Sequence, residues 1–263
     1  FPVVFFSHGK GGIRMQSTYY TVFLASHGYV VVAPDHPGDT IVDLIEAGDV
    51  DVVGTVENFV DRPKDIEFLM DEIQSLDAKD PLSTIVDTER MGVTGHSFGA
   101  LTSMVVAGQD FRAKVAVAQS PVGVGIVEAA TPEKLSEFGK PMMIQSGGKD
   151  KTLPEDVDAA SLWDEMKSPR AWESLVRAGH FTYSDLCTFD VRPIGDALSL
   201  DVENVLSDGC GPDNTPHEIA FPLIRAGAVG FLNVHLRGST ASSKWLTQGA
   251  LDALAQGEST LKE

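Results

Sequence analysis

This chain is poor in cysteine, and its basic residues are few beside its acidic ones. It carries 2 Cys among 263 residues, and 20 Lys and Arg against 38 Asp and Glu, for a formal net charge of −18 and a pI near 4.6. A field of that sign repels phosphate backbones and anionic bilayer surfaces, so no nucleic-acid partner and no stable membrane association are expected. Neutral or cationic substrates are favoured. Long hydrophobic runs are also missing. The longest apolar stretches, Val3–Phe6 and Tyr29–Ala33, are strand-sized and far short of a membrane-spanning helix. Phe1-Pro2-Val3-Val4-Phe5-Phe6 has no basic segment before it and no cleavage site after it, so the residues present are read as holding no signal peptide, one that had been removed being compatible with that. There is no internal repeat or low-complexity tract. With 43% hydrophobic and 22% charged residues, disorder, collagen and coiled coil are excluded.

What is present points to one large α/β domain, 1–263, with enough apolar residues for a sizeable core. The two cysteines, Cys187 and Cys210, lie in a polar stretch containing Gly, Asp and Pro. A sole pair in such a setting is read as a disulfide in preference to two buried thiols. Closing that loop contributes about 3 kcal/mol in the chain-entropy account. A disulfide implies export, to the periplasm or outside the cell.

Strand and helix patterns alternate along the chain. Pro2–Ser7 is a continuous apolar run suited to a strand covered on both faces. A helix bearing Tyr19, Tyr20, Val22, Phe23 and Leu24 follows and closes at Gly28. Tyr29–Ala33 is a strand, and an acidic irregular segment then extends to about Val60. Asp61-Arg62-Pro63 reads as a helix start, with Asp61 as cap and proline in the first turn. Ile66, Leu69, Met70, Ile73 and Leu76 recur at helical spacing. Strands follow at Arg90–Thr94, Val115–Gln119, Pro141–Ser146 and Ala171–Arg177, with a helix over Phe98–Ala107 and closing helices over His217–Leu236 and Ser243–Ala255. The fold class is α/β, a mostly parallel, doubly wound sheet with helices on both faces.

The chemistry-bearing segment is Gly95-His96-Ser97-Phe98-Gly99, set between a strand and a helix. Gly-x-Ser-x-Gly in that context is a nucleophile elbow. A sharp turn lifts the serine hydroxyl clear of the sheet edge, the glycines let helix and strand pass closely, and the helix N-terminus favours developing negative charge. A serine needs a general base held by a third group, and in this architecture the chain order is serine, acid, histidine. Of seven histidines only His180, His217 and His235 follow Ser97. The last two lie in an apolar helix, whereas His180 follows a strand and the small pair Ala178-Gly179, so His180 is the candidate base. Asp150, directly after the strand ending Ser146-Gly147-Gly148, is the candidate acid; Asp156 and Asp158 look like the opening turn of a helix instead. Two oxyanion donors are needed: the Phe98 amide, and one from Ser7-His8-Gly9-Lys10-Gly11-Gly12, where the Lys10 amide is the best candidate. No Walker pattern accompanies that glycine-rich loop.

Phe5-Phe6-Ser7-His8-Gly9, Leu24-Ala25-Ser26-His27-Gly28-Tyr29-Val30-Val31, Asp61-Arg62-Pro63-Lys64-Asp65, the Ser97 pentapeptide and His180-Phe181-Thr182-Tyr183-Ser184-Asp185 together resemble the bacterial α/β-hydrolases similar to platelet-activating-factor acetylhydrolase, often labelled dienelactone-hydrolase-like. The likeness to cutinase-like polyester hydrolases is more distant. The resemblance covers most of the chain. It implies an α/β-hydrolase fold and a serine carboxylic-ester hydrolase of short acyl esters with no metal and no cofactor. Ser97 is then nucleophile, His180 base, and Phe98 and Lys10 oxyanion donors. The chain departs from that family in three ways. The acetylhydrolases place the acid after the strand following the nucleophile helix, where this chain has Gln119-Ser120-Pro121, so the acid falls to Asp150. Dienelactone hydrolase uses a cysteine nucleophile. Phe1 corresponds to the third strand of the fold, so either an N-terminal hairpin precedes it or the sheet ends on an apolar edge.

Phe181 and His96, beside base and nucleophile, are expected to meet substrate; Phe5, Phe98 and Tyr183 also fall near the site in sequence. The segments Thr40–Asn58 and Val122–Lys140 serve as cap loops too short for a lid domain, which implies an open, shallow site on a soluble monomer. Polyester hydrolase, lipase, thioesterase, peptidase and a non-catalytic binding protein on the same fold remain the alternative readings.

Overall fold

The computed structural model describes residues 1–47, 55–198 and 202–263. Its elements run β1 (Pro2–Ser7), α1 (Thr18–Ser26), β2 (Val30–Val32), α2 (Ile41–Ala47), α3 (Thr55–Gln74), β3 (Asp87–His96), α4 (Phe98–Gln109), β4 (Ala113–Gln119), α5 (Val124–Ala130), β5 (Met142–Gly147), α6 (Asp158–Glu165), β6 (Arg170–Leu175), α7 (Arg192–Leu198), α8 (Glu203–Ser207), α9 (His217–Arg237), α10 (Gln248–Leu254) and β7 (Ser259–Lys262). The sheet order is β2-β1-β3-β4-β5-β6-β7. All pairings from β2 to β6 are parallel, and β7 closes the far edge antiparallel to β6.

Burial on both faces accounts for the apolar run of β1. Val3 and Phe5 join one core with Ile66 and Met70 of α3, Leu101 and Met104 of α4, Val127 of α5 and Leu162 of α6. Val4 and Phe6 face the other way, against Tyr20 and Leu24 of α1 and Phe231 and Leu232 of α9. Alternation along one strand thus assigns neighbouring residues to opposite layers. The expected doubly wound arrangement is what the chain adopts.

Three local expectations are corrected, and one strand is added. Asp61 does not cap a helix: α3 already runs from Thr55, and Pro63 lies inside it. The earlier turns are held because Phe59 packs on Phe98, ring centroids 5.0 Å apart. Ser243–Ala255 is not one helix but a 3-10 turn over Thr240–Trp245 and then α10, because the Thr247 hydroxyl accepts from the Ala250 amide and starts a new helix. Strand β7 went unread, since four residues carry too little alternation to register. The cap segment Val122–Lys140 contains α5 and a 3-10 turn at Leu135–Glu137, while Thr40–Asn58 contains α2 and the start of α3, with 48–54 outside the described residues.

Helix α9 also exceeds the expectation about apolar length, being long and apolar enough to cross a membrane. Here Ala220, Leu223, Ile224, Gly227, Ala228 and Phe231 are buried against the sheet and its neighbours. Beneath it lies a polar row. Gln119, Gln145 and Glu173 occupy register-matched positions on β4, β5 and β6 and are fully buried. Gln119 donates to Gln145 Oε1 (3.0 Å), and Gln145 Nε2 donates to Glu173 Oε2 (2.7 Å) and to the Ile224 carbonyl (2.8 Å). Burial pushes the Glu173 carboxyl up to about 8.

Candidate active site

The carboxyl ends of β1, β3, β5 and β6 converge, as ligand sites do in open parallel sheets. β3 ends at His96 and α4 begins at Phe98, so Ser97 alone makes the turn, at φ 56° and ψ −117°. A non-glycine residue at positive φ stores strain, which the flanking glycines make sterically feasible. A Cβ on Gly99 would fall 1.9 Å from the Ser7 carbonyl oxygen, and one on Gly95 2.4 Å from the Gly99 carbonyl oxygen. Only glycine lets β1, β3 and α4 meet there.

The loops after β5 and β6 bring two more groups to the serine. Ser97 Oγ lies 2.9 Å from His180 Nε2, and His180 Nδ1 lies 2.9 Å from Asp150 Oδ2. Imidazole and carboxylate are buried. The other carboxylate oxygen, Oδ1, accepts from the Thr152 and Leu153 amides at 3.0 and 2.7 Å, which leaves Oδ2 turned to the ring. Asp158 is committed elsewhere: its Oδ1 accepts from the Gly123 amide at 2.7 Å.

Behind the serine, His96 has an inside role in place of a substrate-facing one. It is 2% exposed. Gln16 Nε2 donates to its Nδ1 (2.8 Å), and its Nε2 donates to the His180 carbonyl (2.9 Å). Burial, reinforced by the neighbouring His180, holds the ring well below the usual histidine pKa, so it stays neutral with this donor–acceptor pattern. Gln16 Oε1 in turn accepts from the Gly9 amide at 2.9 Å. One chain of hydrogen bonds therefore joins the loop after β1, the elbow and the His180 loop. Phe181 is partly exposed, its ring edge-on to His180 with centroids 5.2 Å apart.

Phe98 is the first residue of α4, where amides have no intrahelical acceptor. Lys10 lies on the facing loop, in the turn closed by Gly12 N–H to the Gly9 carbonyl (3.0 Å). A buried polar cluster fixes that loop. Arg62 pairs with Asp39 (2.7 Å), donates to Ser7 Oγ (3.0 Å) and to the His8 carbonyl, and lays its guanidinium over the Phe98 ring at 4.4 Å. Asp39 also accepts from the Gly11 amide (3.2 Å). His36 accepts the Ser7 hydroxyl proton at Nε2 (2.9 Å) and donates from Nδ1 to Asp65 (2.7 Å). Burial pulls Arg62 down to about 10, and burial together with the Arg62 charge pulls His8 down to about 3. Gln16, Asp39 and Arg62 carried no sequence signal for this role; Arg62 stands in the sequence as part of a helix start and of a segment that carries the family resemblance.

Cys187 and Cys210 are joined in a disulfide, as their pairing in the sequence implied. Among the described residues no group of three or more His, Cys, Asp or Glu side chains is arranged to hold a metal.

The chlorophyllase family model matches residues 1–138, just over half of the chain. The chain belongs to the chlorophyllase family. That match spans the elbow and the loop after β1 and stops before Asp150 and His180. A probable 1-alkyl-2-acetylglycerophosphocholine esterase of Arthroderma benhamiae is 29% identical, over 76% of this chain and 54% of the relative. Platelet-activating factor acetylhydrolase of Cavia porcellus is 21% identical, over 93% and 60% respectively. The chain thus spans between half and two thirds of the length of these curated relatives. Among solved structures, a ferulic acid esterase from Streptomyces cinnamoneus superposes with a TM-score of 0.70 at 22% identity, covering 100% of this chain and 74% of that one. The fold of this family member is that of an α/β-hydrolase.

Proposed function

We propose that the chain is a serine carboxylic-ester hydrolase that acts through an acyl-enzyme on short-chain acyl esters. The observation that carries this reading is the unbroken run from Ser97 Oγ through His180 to Asp150, two contacts of 2.9 Å each, at the one strained residue between β3 and α4. Its family membership and its likeness to acetylhydrolases and esterases support it.

In the first step His180 Nε2 takes the Ser97 hydroxyl proton while Oγ bonds to the ester carbonyl carbon. The electron pair of the carbonyl moves onto oxygen, where the amides of Phe98 and Lys10 stabilise it. Collapse breaks the bond to the alcohol oxygen, which leaves with the proton from His180. Water then repeats the sequence against the acyl-enzyme and releases the acid. Asp150 holds the Nδ1–H tautomer and stabilises the imidazolium formed in each half-reaction. No metal and no cofactor enters these steps. The same reading makes residues 1–263 one catalytic domain, monomeric, with Phe181 at the substrate rim. The disulfide supports a secreted or periplasmic setting.

Turnover of p-nitrophenyl acetate and butyrate tests the proposal. Wild-type protein hydrolyses both, and Ser97→Ala loses that activity while keeping its circular dichroism. Equal turnover by the two proteins sinks it.

A further inference from the structure

The loop joining α8 to the disulfide contains a carboxylate that the catalytic run does not use. Asp208 follows the last residue of α8 and is 4% exposed. Its Oδ1 accepts from the His180 amide (3.1 Å) and the Lys151 amide (3.0 Å). Its Oδ2 accepts from the Thr152 amide (3.0 Å) and the Thr152 hydroxyl (2.7 Å). Four donors from two different loops thus meet one side chain. One loop follows β5 and bears Asp150; the other follows β6 and bears His180.

The main chain around Asp208 is held as firmly as the carboxylate. Its carbonyl accepts from the Phe181 amide (2.8 Å), and the Thr182 hydroxyl donates to the Gly209 carbonyl (3.2 Å). Lys151 Nζ donates to the Ser207 carbonyl (2.9 Å). Packing is close enough that a Cβ on Gly179 would lie 2.6 Å from the Asp208 carbonyl carbon, and one on Gly209, at φ 140°, 2.6 Å from the Thr182 nitrogen. The disulfide Cys187–Cys210 anchors the segment two residues beyond.

We propose that Asp208 is a positioning residue of the site: its carboxylate sets the separation of Asp150 from His180 by binding the backbone of both loops. The proposal rests on the ester-hydrolase reading above. Without Asp208 the two loops keep their direct main-chain bonds, from the Gly148 amide to the Leu175 carbonyl (2.9 Å) and from the Lys149 amide to the Ala178 carbonyl (2.8 Å), but lose the one carboxylate that binds the His180 amide together with those of Lys151 and Thr152. Displacements near 1 Å in such constellations reduce rate by up to about 100-fold. Substrate binding is set by other groups, so the loss falls on kcat.

The test compares wild-type protein with Asp208→Asn, which keeps shape and replaces one acceptor oxygen by a donor. Expected is a fall in kcat on p-nitrophenyl butyrate of about tenfold or more with KM within about twofold. The low-field proton resonance of His180 Nδ1–H, which reports its bond to Asp150, should shift or broaden as well. A folded Asp208→Asn with unchanged kcat and an unmoved resonance overturns the proposal. Should that variant not fold, Thr152→Val removes the 2.7 Å hydroxyl bond alone; a several-fold loss of kcat restored by Thr152→Ser supports the proposal, and equal kcat in all three proteins overturns it. Covalent labelling by a fluorophosphonate separates the two readings. No labelling of wild-type Ser97 sinks the hydrolase itself, whereas labelling of wild type and Asp208→Asn at one rate sinks only the role of Asp208.

Discussion

His96 Nε2 donates to the His180 carbonyl oxygen at 2.9 Å, so the residue just before Ser97 holds the backbone of His180. Both are histidines, yet only one faces the serine. The other is a buried, neutral spacer whose second nitrogen accepts from Gln16. Replacing it, in His96→Leu, removes both bonds and leaves Gln16 Nε2 and the His180 carbonyl without those partners. A loss of about 1–3 kcal/mol in urea unfolding is expected from the buried His180 carbonyl left unpaired, with kcat reduced as His180 loses the tie at its carbonyl. Full stability and activity in His96→Leu would show the contact to be incidental.

The buried pair Arg62–Asp39 predicts an asymmetric response. Arg62→Met leaves Asp39 uncompensated and removes the donors to Ser7 Oγ and the His8 carbonyl. A destabilisation of about 3–5 kcal/mol is expected. The double variant Arg62→Met, Asp39→Leu should recover part of it, because two apolar side chains leave no unpaired charge. Denaturant midpoints measured for the single and double variants decide this; a double variant no more stable than the single one contradicts it.

The order of the fold was legible because its signals are local and repeated. Val3–Phe6 reads as a strand covered on both faces, and the glycines of the elbow reported a close approach in which a side chain on Gly99 would collide with the Ser7 carbonyl. Ser97, His180 and Asp150 could be chosen because each follows a strand within a few residues, and chain order then narrows the histidines to three. What holds them was not legible. Gln16, Arg62 and Asp208 act through contacts with residues 80, 54 and 28 positions away, and their neighbours in sequence say nothing of that. Arg62 resembled the first turn of a helix because an Asp-x-Pro pattern marks helix starts in general; here the helix had begun earlier and proline is tolerated within it. His96 was placed at the substrate for its position in the chain, whereas the pleat of β3 turns it inward.

Glu173 makes stability depend on pH. Its folded pKa is raised by burial from 4.5 to about 8. Below pH 4.5 native and unfolded chains both hold the proton, and the contribution is intact. Between 4.5 and 8 only the unfolded chain releases it, so stability falls as pH rises, by about 1.4 kcal/mol per unit. Above 8 the loss levels off. Glu173→Gln cannot titrate and should flatten that portion of the profile in urea unfolding from pH 5 to 8. An unchanged slope in the variant would mean that Glu173 is ionised in the native protein.

The choice of acid can be checked by comparing two carboxylates. Asp150→Asn removes the acceptor that fixes the His180 tautomer and should lower kcat by about 10⁴, as in the serine-protease template. Asp158→Asn, whose carboxyl is occupied by the Gly123 amide, should leave kcat within a few-fold. The reverse ranking would move the acid to Asp158.

Mass spectrometry of the protein after exposure to a fluorophosphonate addresses the central claim most directly. A single adduct on the peptide containing Ser97, lost in His180→Ala, is the predicted result. Absence of any adduct on wild-type protein, or an adduct that forms equally well without the imidazole, would contradict the account.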